Sequence, residues 1–338
     1  MQLFPVRKPS IGLSLTAQAV TSVELSPSFW PGRHRRIRSL KRHDLATDLV
    51  RLSTDENNIS EVTAFAGDLT TLIGSRRCAS VALSLPNQCA HIALLDFDGL
   101  PENPTECASL VRWRLEKDLQ IPAADCRITY RAYRFPAGDK LLDSSIHRVL
   151  VAAIRNNVLT QYEQACEQAG LLPVEVGIQG LQLFDLSRRM IRQDDEWFFA
   201  SFLDDQFFFV AVRQACPFLI RSKPLPKAPG RRQLELMASI QYYDELCASM
   251  GAKLQPSPRS LYILGNDDEH ASECLDATIG DTSPAAPDMI MTDSLRINMY
   301  SLKKDILPIT WPASNIHWTS GLSALASLTT QQWIGSPG

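Results

Sequence analysis

The residues of this chain able to do covalent or metal chemistry are six histidines, eight cysteines and three pairs of adjacent aspartates. His34, His43, His91, His147, His270 and His317 are dispersed, which suits surface or hydrogen-bonded histidines better than ligands. Cys78, Cys89, Cys107, Cys126, Cys166, Cys216, Cys247 and Cys274 form no CxxC pair, and none stands beside a histidine at zinc-ligand spacing. They read as buried, reduced thiols. The pairs Asp194-Asp195, Asp204-Asp205 and Asp267-Asp268 adjoin strand ends and read as solvated loops. The sequence contains no GxxxxGK, no HExxH and no GxSxG. No metal site and no catalytic residue is expected.

Behind these side chains stands the composition of a soluble globular protein, 45% hydrophobic and 21% charged. A length of 338 residues allows two domains or one divided fold with a shared cleft. The net charge of −3 and a pI near 6.1 argue against a nucleic-acid binder, which needs a basic surface. No stretch approaches the roughly 20 apolar residues that cross a bilayer. Arg7 and Lys8 near the start precede no apolar block, so no secretory leader is expected and the chain should stay in the cytosol.

Hydrophobic periodicity predicts strands at Ile11–Leu15 and Val20–Leu25, then a basic strand over Arg35–Arg42 and a helix near Val62–Ile73. From Val81 a ββαββα block follows: strands Val81–Leu85 and His91–Asp96, helix Thr105–Gln120, strands Arg127–Phe135 and Val149–Ile154, helix Asn157–Ala169. Strand Val174–Ile178 and helix Leu181–Ile191 come next. A hairpin of Phe198–Leu203 and Phe207–Arg213, a strand at Phe218–Ser222, a long helix Arg231–Met250 and a short strand Leu261–Leu264 complete the pattern, with one more helix near Ser320–Ser327. Strand pairs recurring before helices in two halves imply an α/β fold divided by a cleft.

Several segments, in order, resemble one family. Ile11–Leu15 with Val20–Leu25 (IGLSL, VTSVEL) is similar to the opening strand, turn and strand of the PilM family, IGLDIG…VKxVEL. Val81–Pro86 resembles its VxxALP strand, Val111–Pro122 (VRWRLEKDLQIP) its IxWEAExYIP helix, and the QAGLLPVEV ending of Val149–Leu172 its KAGLxPxxI. Arg221–Leu225, Glu235–Tyr243 (ELMASIQYY) and Leu261–Gly265 look like SRSIPL, EIxRSLxYY and IYLxGG. The resemblance covers roughly residues 10 to 328. It implies an actin-like, RNase H-like two-lobed fold with the ββαββα block as an inserted subdomain. The expected division is 1–78 and 173–195 for the first lobe, 79–172 for the insert, 196–330 for the second lobe and 331–338 as a tail. The related GspL of type II secretion carries a membrane helix after this region, and the helix with two tyrosines fits PilM better.

Actin-like folds hold Mg-ATP between two strand-turn-strand loops, with backbone amides on the phosphates and an aspartate in each loop managing the metal. The resemblance puts Ser14 at the first aspartate, followed by Thr16, Ala17 and Gln18 in the turn. It puts Ser201 at the second aspartate with Leu203 at the glycine, or, in another register, Asp204 with Gln206. Gly265 and Asn266 fall at the adenosine-side motif. A hydroxyl is a poor substitute for a hard carboxylate ligand. The chain is therefore expected to lack ATPase activity and to keep ATP weakly or not at all. The expected role is a cytoplasmic scaffold at the inner membrane that grips the N-terminal peptide of a PilN-like protein between the first lobe and the insert, and meets other pilus platform or motor proteins. Leu83, Leu85, Leu110, Trp113 and Arg114 are the candidate groove residues, although large apolar side chains on a helix such as Trp113 and Leu110 are more often core than contact. The basic run Arg33–Arg36, continuing to Arg38, Lys41 and Arg42, reads either as a solvated edge strand or as a surface drawn to anionic headgroups.

Overall fold

A computed structural model describes residues 9–26, 37–74, 78–135, 146–189, 191, 195–203, 206–225, 230–251, 259–265, 297–301 and 318–329, with the backbone alone at 297–301, 318–320 and 329. The first sheet has the order β3-β2-β1-β4-β8, built from β1 (Ile11–Leu15), β2 (Ala19–Leu25), β3 (Ile37–Asp44), β4 (Ala79–Leu85) and β8 (Leu171–Ile178). β1, β2 and β3 are antiparallel neighbours, while β4 runs parallel to both β1 and β8.

Two strands carry the same alternation of large and small residues, IGLSL in β1 and VALSL at the end of β4. They pair in register, Gly12 beside Ala82 and Ser14 beside Ser84, so the small residues share one face and the large ones the other. Ile11, Leu13, Leu15, Val81, Leu83 and Leu85 join the core formed with α1 (Val62–Ile73) and α3 (Asn156–Gln168). The small face receives the C-terminal helix α6 (Trp318–Thr329) at close range. Ser84 and Ser323 hydroxyls meet at 2.8 Å, and a Cβ added at Gly12 would lie 1.9 Å from the Ala324 carbonyl oxygen. α6 thus completes the first lobe, although it falls in the stretch expected to be second lobe.

The second sheet, β11-β10-β9-β12-β13, comprises β9 (Glu196–Leu203), β10 (Gln206–Arg213), β11 (Cys216–Pro224), β12 (Arg259–Gly265) and β13 (Ile297–Ser301). Its run of phenylalanines reflects burial on both faces. Phe198, Phe207, Phe209 and Ile263 face the long helix α5 (Arg231–Ser249), whereas Trp197, Phe199, Phe208 and Leu264 merge with the first lobe's core. Gln214 and Ala215, both at positive φ (49° and 63°), make the two-residue β10–β11 turn.

The expected ββαββα elements occur in sequence, but their ends belong elsewhere. β4 is a central strand of the first sheet, and α3 packs on the first lobe's core. The insert proper is β5 (His91–Phe97), α2 (Pro104–Leu119), β6 (Cys126–Arg134) and β7 (His147–Arg155), a three-stranded sheet ordered β5-β7-β6. Pro86 and the short 3-10 turn Asn87–Cys89 hand the chain from one sheet to the other. Periodicity identifies strands and not sheets, which is why β4 looked like part of the insert. β7 is buried on both sides: Val149, Val151 and Ala153 face α2, and Leu150, Ala152 and Ile154 face the first lobe's core.

Arg148, the second residue of β7, reaches the second lobe. It pairs with Asp96 through two hydrogen bonds (2.7 and 2.6 Å), donates to the Phe218 carbonyl (3.0 Å), and its guanidinium lies over the rings of Phe135 and Phe218 at 5.2 and 5.0 Å. Arg131 of β6 pairs with buried Asp185 of α4 (Gln179–Arg188) at 2.8 Å. The insert is therefore fastened to both lobes.

Gly12→Ala should destabilise the protein by about 2–3 kcal/mol, because the obstacle is a backbone carbonyl that cannot rotate aside. Thermal unfolding should show the melting temperature several degrees lower, whereas Gly67→Ala on the exposed face of α1, where an added Cβ meets nothing within 4 Å, should raise it slightly.

Candidate functional site

The cleft between the lobes is bounded by the β1–β2 turn, the start of α4, the Asn87 turn and the β9–β10 hairpin. Thr16 organises the first of these. Its amide donates to the Ala19 carbonyl at 2.9 Å, and its Oγ1 accepts from the amides of Gln18 (3.2 Å) and Ala19 (3.0 Å). A short hydroxyl side chain that bonds the backbone two and three residues on is a standard way to stabilise a tight turn. Here it occupies the amides that a phosphate-cradling turn would turn outward. Ala17 is half-buried and Gln18 exposed.

Ser14 is buried on the small-residue face, and its hydroxyl accepts from the Gln179 carboxamide at 3.1 Å. The same Gln179 amide donates to the Leu15 carbonyl at 2.6 Å. Across the cleft, Ser201 lies in mid-strand, opposite Phe208 of β10 and Leu264 of β12, with a buried hydroxyl that finds no hydrogen-bond partner among the described residues. Leu203 ends β9 inside the shared core. Gly265 ends β12, where an added Cβ meets no described atom within 4 Å. Asp204 and Asn266 lie outside the described residues.

Asn87 ties the two sides together. Its Oδ1 accepts from the Gly180 amide at 2.7 Å, and its own amide donates to Oε1 of Gln206 at 3.0 Å. Below this bridge the Phe208 ring rests on Gly180, where an added Cβ would sit 2.5 Å from Cγ of the ring. First-lobe helix and second-lobe strand are in van der Waals contact only because that position is glycine.

The other candidate groups take structural roles. Burial pushes the Cys89 and Cys166 thiols up to about 12, leaving them inert, while Cys78 is exposed. His43 hydrogen-bonds Asp68 across 3.0 Å, and burial lowers the pKa of His91 below the usual imidazole value. Among the described residues, no three His, Cys, Asp or Glu side chains converge as a metal site would need. His34, His270, His317, Cys274, Asp194, Asp204, Asp205, Asp267 and Asp268 lie outside the described residues.

The five expected groove residues do not come together. Leu83 and Leu85 are 1% and 0% exposed in the first lobe's core, because β4 is a central strand and not part of the insert. Leu110 packs against the cluster between α2 and the insert sheet. Trp113 is 50% exposed on the outer side of α2, with Lys117 Nζ 4.6 Å from its ring centre, and Arg114 pairs with Asp118 on the same helix. α2 covers the insert face that points away from the first lobe.

The seam between insert and first lobe is lined instead by β6. Paired with Ile154, Ala152 and Leu150, whose side chains enter the first lobe's core, Arg127, Thr129 and Arg131 share that inward face and are half-buried, as is Tyr133 further along. Arg127 faces Glu163 of α3, whose carboxyl is raised by burial and drawn back by that arginine, and Arg131 meets Asp185. β6 is also an edge strand: among the described residues, no further strand lies beyond it in its sheet. Alternation in CRITYRAYR carried this signal, since every second residue from Arg127 through Tyr133 bears a polar group.

The fold has close structural counterparts. The chain superposes on a structure of the "PilM-PilN type IV pilus biogenesis complex" with a TM-score of 0.63, covering 96% of this chain and 100% of that one at 18% identity. A Bacteroides thetaiotaomicron protein of actin-like ATPase fold and unknown function gives 0.51, with 96% of each chain covered and 10% identity. The cytoplasmic domain of EpsL, an inner membrane component of the type II secretion system of Vibrio cholerae, gives 0.48 at 9% identity, too low to weigh. No protein-family model and no curated protein matches the sequence. The resemblance to PilM read from short motifs is thus a resemblance of the whole fold, and the chain has the two-lobed actin-like architecture. No helix among the described residues is long and apolar enough to cross a membrane.

Asn87→Ala should leave the buried Gly180 amide without an acceptor and lower the unfolding free energy by about 1–3 kcal/mol. Gln18→Ala, at an exposed position of the same cleft, should change it by less than about 0.5 kcal/mol, both read from urea denaturation curves.

Proposed function

We propose that this protein is a scaffold that holds an extended peptide in the seam between its insert and first lobe, and that its interlobe cleft no longer works as a nucleotide site. The observation that carries the reading is β6: an open strand edge beside a half-buried, polar inward face. Such an edge recognises an extended chain through main-chain hydrogen bonds, with flanking side chains giving specificity. The fold's likeness to a protein solved as a complex with PilN supports a PilN-like partner, whose N-terminal cytoplasmic segment would be the peptide. The protein would then work in the cytoplasm against the inner membrane, held there by that partner and by other platform or motor proteins of the pilus machine.

The residues of the cleft do not fit a metal-bound triphosphate. In the register that uses Ser201, serines stand at both positions where a carboxylate would manage the ion, and one of those hydroxyls is already engaged by Gln179. Turn amides needed for phosphate are engaged by Thr16. Phe208 on Gly180 closes the floor between the lobes.

Calorimetry with a PilN-like N-terminal peptide should show saturable binding, and Thr129→Glu should weaken it at least about tenfold by placing a charge in the seam. Trp113→Ala, on the outer side of α2, should leave affinity unchanged; loss of binding on Trp113→Ala with none on Thr129→Glu would move the site to α2 and sink the seam. Separately, millimolar Mg-ATP should shift the melting temperature by less than about 1 °C, and a larger shift abolished by EDTA would restore a working nucleotide site.

A further inference from the structure

Six large hydrophobic side chains are exposed among the described residues, and three of them lie on α5: Leu234 (65%), Met237 (36%) and Tyr242 (49%). The opposite side of this helix, through Leu236, Ile240, Tyr243 and Cys247, packs on the second sheet. The outward stripe runs Arg231, Leu234, Ala238, Tyr242, Glu245, at intervals of three and four residues, so all five project from one face. Met237 flanks it.

The order of chemistry along this stripe is symmetric about its smallest member. Leu234 and Tyr242 stand four residues either side of Ala238, and basic Arg231 and acidic Glu245 stand seven either side. A two-fold axis through Ala238, relating two antiparallel copies of the helix, sets Leu234 of each copy against Tyr242 of the other. The same axis sets Arg231 against Glu245 at both ends. Alanine at the crossing lets the two backbones approach closely. Isologous interfaces must be self-complementary in this way, each patch being its own partner.

We propose that a second copy of this chain docks on α5, the two helices antiparallel and centred on Ala238. Charge settles the occupant: an unrelated partner would need no matched opposite charges at the two ends of one stripe, and a parallel pairing would set like charges together. Arg221, whose guanidinium lies 5.6 Å from the Tyr242 ring centre, holds that ring in place from the neighbouring strand β11. About four turns of a single helix fall short of the roughly 1,000 Å² a lasting complex buries, so the dimer is a weak one that forms at high local concentration. This pairing is independent of the peptide seam, which lies on the insert.

Sedimentation velocity of the full chain from about 10 µM to about 1 mM tests it. The weight-average sedimentation coefficient should rise with concentration, and Ala238→Glu, at an exposed helical position that leaves the fold intact by circular dichroism, should flatten the rise. Arg231→Glu and Glu245→Arg should each weaken self-association severalfold, since each sets like charges opposite one another. An equimolar mixture of the two single variants should recover it, because every pair across the axis is then opposite in sign. A flat profile for the native chain, an unchanged rise in Ala238→Glu, or a mixture no stronger than its components would each overturn the proposal.

Discussion

The approach of α6 to the backbone of β1 is the contact on which the first lobe rests. It is possible only because Gly12, Ser14, Ala82 and Ser84 present almost no side-chain volume on that face of the sheet. Their large neighbours turn the other way, into the core with α1 and α3. One alternation, written twice in β1 and β4, therefore sets two different packing distances on the two faces of a single sheet. Ser14 belongs to this arrangement as much as to any cleft. A carboxylate in its place would enter a crowded, buried layer beside the Ser84–Ser323 contact, with a carboxamide as its nearest partner.

The same logic of close approach governs the space between the lobes. Gly180 admits the Phe208 ring, Asn87 links the α4 amide to Gln206, and the core runs without interruption from the first sheet into Trp197, Phe199 and Leu264. Thr16 turns the first loop's amides inward. Each is a small local choice, and together they bring the described faces of the two lobes into direct contact. The surfaces proposed for recognition lie at the margins, at β6 on the edge of its sheet and along the exposed apolar stripe of α5.

Much of this was legible in the chain. The bounds of β1 and α1 and the hairpin of phenylalanine-rich strands follow from periodicity, and short motifs placed the fold. Sheet membership did not follow. Val81–Leu85 has the same pattern whether it sits in an insert or between β1 and β8, because burial on both faces removes the polar alternation that would tell them apart. The error carried over to the groove, since Leu83 and Leu85 were assigned to a surface they never reach. Trp113 fits neither reading its helix allowed, groove contact or core: it points to solvent on the outer side of α2 with Lys117 across its ring. The turn chemistry of Thr16 was readable in principle, as a threonine two and three residues before the amides it binds. What periodicity cannot supply is the pairing of Arg131 with Asp185, whose partners are 54 residues apart in sequence.

Arg148 has a wider implication for how such a chain can change over generations. A buried guanidinium held by Asp96, by the Phe218 carbonyl and between two aromatic rings is costly to replace, because its loss leaves the Phe218 carbonyl and both ring faces without their partner, although exposed Asp96 can turn to water. The residues it joins come from three separate stretches of sequence, so drift in one must be matched in the others. An inserted subdomain is ordinarily the part of a protein freest to diverge or be lost. Pinned in this manner, it cannot shift against either lobe without breaking the contacts of Arg148 and Arg131.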